Sequence, residues 1–265
     1  MIRLFVTDID GTLLPVGSGV VPAKNIEAVQ AMVKAGVKVA IATGRMYSAA
    51  LPIAAQLGVP VPIIAYNGAL IKSSAGEILH AQYMDAENVL ELINFFEKRG
   101  WHLQSYSDDI LYVPERNELV KFYEKMIRVE AVEVGWDGLR ALTKNIPKLL
   151  TVSDTPEEAL VKLDEAKKFF SGRVEITRSA ARFTEFMALG VSKAGAIKIL
   201  AEKFGVDNAE ILAIGDSDND LAMITSVGCG VAMGNAVPAV KAAVTRITDT
   251  CENDGFAKAV YDYVL

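Results

Sequence analysis

Apolar residues dominate positions 2–7, a β-rich run that ends on acidic side chains. Pro22, Ile26, Val29 and Val33 then recur at helical spacing, and Gly36 marks a C-terminal stop. Positions 37–42 form a second apolar run almost without alternation, the pattern of a strand covered on both faces. A helix is predicted over 46–57, bent or restarted at Pro52, and a third short strand over 63–65. Strands alternating with helices predict a parallel sheet with right-handed crossovers.

From about residue 69 the rhythm changes. A hairpin is predicted over 69–83 around Ser73, Ser74, Ala75 and Gly76, and helices over 86–98, 115–128 and 156–170. Strand pairs 101–106 with 110–113, flanking Asp108-Asp109, and 173–178 with 183–188 predict a smaller sheet of antiparallel character. After Gly190 the parallel pattern returns, with a helix over 194–204, a strand over 211–214, a helix beginning at 221–225, further elements at 231–233 and 239–244, and a C-terminal helix to 265. The fold class is therefore α/β, a Rossmann-like doubly wound parallel sheet interrupted by a smaller α+β domain. The expected boundaries are 1–83 with 185–265 for the discontinuous core, and 84–184 for the insertion.

Composition narrows the function. The chain has 265 residues, 51% of them apolar, and 33 acidic against 27 basic side chains, for a net charge of −6. That is too apolar for a disordered chain, and the negative balance argues against nucleic acid or an anionic membrane as partner. No apolar stretch is long enough for a bilayer, and the opening residues lack a signal-peptide pattern. Cys229 and Cys251 cannot form a disulfide framework, and His80 and His102 give no zinc spacing, so a cytoplasmic protein is expected.

Four segments carry candidate chemistry. Asp8-Ile9-Asp10-Gly11-Thr12 follows the first strand, with two carboxylates at i and i+2 on one side of an extended backbone. The carboxyl ends of parallel strands are where ligands bind. Gly215-Asp216-Ser217-Asp218-Asn219-Asp220 follows a later strand, with Asp218 a candidate helix N-cap. An EF-hand fits neither segment, because residues 13 and 221 are Leu where the loop needs Gly, and Gly19 and Val227 stand where it needs Glu. An acidic turn remains the alternative for each. Brought together, the two clusters would make a hard-cation site suited to magnesium. Thr43-Gly44-Arg45 offers a hydroxyl and a glycine amide for an anion, or an ordinary strand-to-helix cap, with Arg45 read as a solvent or surface-pair residue. Lys193 opens a helix against its dipole, as a tolerated surface lysine or as the partner of a nearby anion.

In this order, Asp-x-Asp-Gly-Thr, Thr-Gly-Arg, Lys and Gly-Asp-x-x-Asn-Asp, the chain resembles the haloacid dehalogenase superfamily, in its Cof-like branch of sugar-phosphate-type phosphatases. The resemblance runs over nearly the whole chain and includes Asn67-Gly68-Ala69, Glu185 before Gly190-Val191-Ser192-Lys193, Met233-Gly234-Asn235-Ala236 and Asp254-Gly255. Ala194 departs from the Gly usual there. The resemblance implies that Asp8 is the nucleophile, forming an aspartyl-phosphate, and that Asp10 is the general acid/base. It implies Mg2+ held by Asp8, the Asp10 carbonyl and Asp216, and a phosphoryl group bound by Ile9 and Asp10 amides, Thr43, Gly44, Lys193 and Asn219. Asp220 and Asn67 would act one layer out. The insertion would exclude water and select the leaving group, as a cap.

Electrostatics explains why such a set is needed. Two unit charges 4 Å apart repel by about 1 kcal/mol in water and by roughly 4 kcal/mol at an effective dielectric near 20, and a phosphate dianion doubles this. A divalent cation and a lysine offset the repulsion. The expected activity is hydrolysis of a small phosphorylated metabolite, a sugar phosphate first. The alternatives are a phosphomutase and a non-catalytic phosphate-binding protein.

Overall fold

The structure is a computed structural model that describes residues 1–265. The chain forms two compact units, residues 1–80 with 192–265, and residues 81–191. The first unit begins with β1 (Leu4–Thr7), α1 (Ala23–Lys34), β2 (Lys38–Ala42), α2 (Tyr47–Gln56), β3 (Ile63–Ala65), β4 (Leu70–Lys72) and β5 (Ile78–Ala81). The second holds α3 (Ala86–Lys98), β6 (Gln104–Ser107), β7 (Ile110–Val113), α4 (Glu118–Ile127), β8 (Val132–Glu133), α5 (Gly135–Ala141), β9 (Leu149–Val152), α6 (Pro156–Phe170), β10 (Val174–Ala180) and β11 (Phe183–Ala188). The first unit resumes with α7 (Lys193–Phe204), β12 (Ile211–Gly215), α8 (Leu221–Thr225), β13 (Cys229–Ala232), α9 (Pro238–Ala242), β14 (Arg246–Ile247) and α10 (Gly255–Tyr263).

The larger sheet has the strand order β14-β13-β12-β1-β2-β3-β4-β5, parallel from β14 through β3 and antiparallel between β3 and β4. Every residue of β1, β3 and β12 is buried, because helices cover both faces of the sheet. On one face Phe5 of β1 meets Phe256 of α10 edge to face at 5.5 Å. Helix α1 buries Asn25, Ala28, Val29 and Met32, which shifts Ile26 and Val33 from the centre of the inward stripe to its margin. Asn25 is drawn inward by a partner that apolar spacing does not register, the Leu13 carbonyl 2.8 Å from its Nδ2. Helix α2 runs through Pro52 without restarting. The missing N–H would have bonded to the carbonyl of Ser48 in the first turn, so one rung near the helix end is lost.

The smaller sheet has the order β10-β11-β9-β6-β7-β8, antiparallel except between β7 and β8. Helices α3, α5 and α6 supply its apolar core, in which Val89, Leu92, Phe96, Leu139 and Ala166 pack with Leu149 and Phe186 of the sheet. Asp108 and Asp109, at φ 48° and 63°, make the two-residue turn between β6 and β7. The unit ends at 191, not at 184. Strand β11 is continuous and pairs with β10 on one side and β9 on the other, so a boundary at 184 would cut it. At the other end the division falls after His80, near the close of β5. Helix α5 and the short strands β8, β9 and β14 are additions to the sequence pattern.

Candidate active site

Register assembles the site. Thr7 lies beside Ile214 on one neighbouring strand and Ile41 on the other. Asp8, just past β1, Asp216, just past β12, and Thr43, just past β2, therefore leave the sheet at one carboxyl edge. All three are buried.

Lys193 comes from α7, whose N-cap is Ser192, with its Oγ accepting from the Gly195 N–H at 3.1 Å. The helix can start here because residue 68 is glycine. At φ +111° a side chain would be strained, and a Cβ would collide with the Ser192 carbonyl. The Lys193 Nζ donates to Asp8 Oδ1 and to Asp220 Oδ1, each at 2.6 Å. The other oxygen of Asp220 accepts from the backbone N–H groups of Asp216 and Ser217, both at 3.0 Å. Asp216 accepts from the Thr12 hydroxyl at 2.8 Å and from the Ser217 hydroxyl at 3.2 Å.

The loops after β2 and β3 lock together beside this cluster. The Thr43 carbonyl accepts from the Asn67 N–H, and the Arg45 carbonyl from the Tyr66 N–H, both at 2.9 Å. Tyr66 and Asn67 both take positive φ, 51° and 54°. Asn219 Nδ2 donates to Asn67 Oδ1 at 3.0 Å. Gly44 lies against the same Asn67 oxygen, which a Cβ at position 44 would approach to 3.1 Å. Thr43 Oγ1 accepts from the Arg45 N–H at 3.1 Å. Arg45 reaches across to Asp10, Nε to Oδ2 at 2.7 Å and a terminal nitrogen to Oδ1 at 2.6 Å.

Three buried carboxylates, Asp8, Asp216 and Asp220, face one buried ammonium. Burial pushes the Asp8 carboxyl well above its ordinary range; Lys193 opposes this, while Asp220, Asp216 and Asp10 add to it. Burial and the Asp220 charge push Asp216 up to about 6, against the Thr12 hydroxyl and Lys193. Burial alone would lower the Lys193 ammonium, but Asp220 and Asp8 outweigh it and hold Lys193 above its ordinary value, protonated at neutral pH. Removed from water, these charges interact several-fold more strongly than at the surface.

The structure thus gathers Asp8, Lys193, Asp216 and Asp220 into one cluster, with Asp10 beside it through the chain and Thr43, Gly44, Asn67 and Asn219 along the adjoining loops. The Ile9 side chain is buried in the core, so only its backbone is available to a ligand. Arg45 is not a solvent-facing residue: it is 9% exposed and grips Asp10 with two bonds. Asp218 does not cap the turn at 218–220; Ser217 does, with Asp220 completing a capping box. Asp220 lies directly on Lys193, behind the predicted phosphoryl ligand. Sequence reasoning assigned no role to Thr12 or Asn235. Asn235 donates to the Gly11 carbonyl and accepts from the Cys251 N–H, each at 2.8 Å, and so ties the Asp10–Thr12 turn to the C-terminal segment. Their only signal was membership of the motifs themselves.

The cluster fits a hard divalent cation. Its donors are all carboxylate oxygens, and one oxygen from each of Asp8, Asp216 and Asp220 lies within 4.8 Å of the others. The ammonium leaves excess negative charge for a cation to balance. Gly11 keeps space open against Asp216, where a Cβ would fall 2.6 Å from Oδ2. Lys193 and backbone N–H groups hold both Asp220 oxygens, whereas Asp216 accepts only from the rotatable Thr12 and Ser217 hydroxyls and Asp8 accepts from Lys193 through Oδ1 alone, which leaves Asp8 and Asp216 as the freer ligands.

Comparison with known proteins gives a consistent picture. The sequence profile of the haloacid dehalogenase-like hydrolases matches residues 5–260. A 5-amino-6-(5-phospho-D-ribitylamino)uracil phosphatase of Bacillus subtilis is 30% identical over 266 residues, covering 100% of this chain and 96% of the relative. An HMP-PP phosphatase of Serratia proteamaculans is 30% identical over 269 residues, covering 97% and 93%. The crystal structure of a haloacid dehalogenase-like hydrolase from Bacteroides thetaiotaomicron superposes with a TM-score of 0.88 at 28% identity, covering 99% of both chains.

Proposed function

This chain belongs to the haloacid dehalogenase-like hydrolase family, in its Cof-like branch, and from that premise we propose that it is a Mg2+-dependent phosphatase that hydrolyses a small phosphorylated metabolite, a sugar or polyol phosphate first, through an aspartyl-phosphate on Asp8. One observation carries the reading: Lys193 Nζ lies 2.6 Å from Asp8 Oδ1, with Asp220 on its other side and Asp216 within carboxylate reach. The full-length similarity to phosphatases of phosphorylated small molecules supports it.

Asp8 attacks phosphorus through a carboxylate oxygen as the ester P–O bond breaks. Asp10 gives its proton to the departing oxygen, then takes one from the water that cleaves the acyl phosphate, so Asp8 and inorganic phosphate are regenerated. Lys193 keeps Asp8 in place and offsets charge on the phosphoryl oxygens, which the Thr43 hydroxyl, the Gly44 amide and Asn219 also bind. Asp8 and Asp216, with the Asp10 carbonyl, would hold the Mg2+. The ion when bound supplies the positive charge that lets a carboxylate approach a phosphate dianion. Asp220 and Asn67 hold Lys193 and Asn219 in position. The insertion at 81–191 selects the leaving group.

The test is release of inorganic phosphate from a panel of phosphorylated sugars, polyols and cofactors and from an aryl phosphate, with and without chelator. Turnover is expected with Mg2+, silence after chelation, and loss of activity to background in Asp8→Asn at unchanged melting temperature. Activity retained in Asp8→Asn, or no phosphate released from any compound, would sink the proposal.

A further inference from the structure

We propose that Arg45 is a positioning residue, which aims the Asp10 carboxyl at the leaving-group oxygen and thereby suits the site to phosphate esters of alcohols. The inference rests on the phosphatase reading above and extends it to a side chain that reading leaves without a role. The observations are geometric. Arg45 and Asp10 meet in a two-bond fork at 2.7 and 2.6 Å, and the arginine side chain is 9% exposed against 33% for the aspartate. An exposed arginine–aspartate pair contributes about 0–1 kcal/mol. Here the guanidinium is withdrawn from water, and its own backbone is pinned at both ends, N–H to Thr43 Oγ1 and carbonyl from the Tyr66 N–H. The fork therefore starts from a fixed base.

Asp10 needs such a hold. It precedes Gly11, which turns the chain at φ +78°, and the like charge of Asp8, two residues away, repels its carboxylate. A planar, bidentate guanidinium restrains both the place and the plane of the carboxyl, where an ammonium would restrain only its place. Misplacing a group by 1 Å costs on the order of 100-fold in rate.

The consequence depends on the leaving group. With an alkyl ester, the bond from Asp8 oxygen to phosphorus forms, the ester P–O bond breaks, and the Asp10 proton moves to the departing oxygen, giving the alcohol and an Asp10 carboxylate. With p-nitrophenyl phosphate the phenolate leaves unprotonated, so the aim of Asp10 does not enter the first step.

The test measures kcat/KM for a sugar phosphate that the wild type hydrolyses and for p-nitrophenyl phosphate, in wild type, Arg45→Met, Arg45→Lys, Asp10→Asn and the Arg45→Met/Asp10→Asn double variant. Arg45→Met is expected to lower the ratio of alkyl to aryl kcat/KM by roughly 10- to 100-fold, most of it in kcat. Arg45→Lys should fall between it and wild type, and the double variant should lose no more than Asp10→Asn alone. A rise in KM for both esters with the ratio intact would make Arg45 a substrate ligand and overturn the proposal, as would an unchanged ratio or additive losses. If Arg45→Met fails to fold, as judged by its melting curve, Arg45→Lys carries the same comparison. Failure of the wild type to release phosphate from either ester would instead strike the phosphatase reading itself.

Discussion

At the scale of single residues, burial governs the site. Asp8, Asp216 and Asp220 repel one another in a place where water cannot screen them, and Lys193 compensates only in part. A metal-free site under that strain holds a proton at pH values where an exposed aspartate would not. Asp216, whose unfolded value is 3.8, titrates near 6 in the folded protein. A folded value raised above the unfolded one means that the folded state binds more protons between those limits. The contribution of Asp216 to metal-free stability is thus fullest at low pH and is lost as the pH rises through about 6. A cation must displace that proton below pH 6 and need not above it. Because Asp8 and Asp216, the two freer ligands, both hold protons above the ordinary carboxylate range, apparent Mg2+ affinity should fall as the pH is lowered, with protons released as the ion binds. Thermal shift on Mg2+ addition reads this directly, with a larger shift expected at pH 7.5 than at pH 5. Equal shifts at the two pH values would count against a shared proton and metal site.

At the scale of elements, the site depends on close approaches that only small residues allow. The start of α7 packs against the turn after β3, with residue 68 glycine at the contact and Lys193 at the first helical position. Gly68→Ala combines a backbone conformation hostile to a side chain with a collision at the Ser192 carbonyl. It should cost roughly 2–3 kcal/mol of stability. Because α7 carries Lys193, turnover should fall by more than tenfold even at temperatures where the variant remains folded. Denaturant melts paired with phosphate-release rates check both parts, and a variant with lowered stability but normal turnover would refute the link. The elements themselves were legible to different degrees. α3 and α6 match the predicted 86–98 and 156–170 because their apolar stripes are long and periodic. β9, whose four residues are all buried, shows no alternation, and α5 carries two glycines among its seven residues. The inward stripe of α1 departs from its apolar spacing because Asn25, a polar residue, bonds to a backbone carbonyl from another segment.

At the scale of the molecule, one chain makes two units by interrupting the first with the second at residues 80/81 and 191/192. Each has its own sheet, and the second has its own apolar core. Assignment of leaving-group choice to the insertion has a direct measure. Exchange of residues 81–191 for the matching segment of another family member should preserve Asp8-dependent hydrolysis of an aryl phosphate while reordering the preferred metabolites. An unchanged order of preference would return specificity to the first unit.

The sequence by itself determined the alternation of elements, the identity of the acidic motifs and the position of Lys193, because these depend on local periodicity and on short spacings along the chain. Only the tertiary structure decided that Arg45 grips Asp10, that Asp220 bears directly on Lys193 and that β11 pairs with β9 as well as with β10. Those facts are set by strand register and by pairings between residues distant along the chain, Arg45 and Asp10 standing 35 positions apart, or by the competition of three carboxylates for one ammonium. Charge and distance act through space, and a one-dimensional pattern does not contain them.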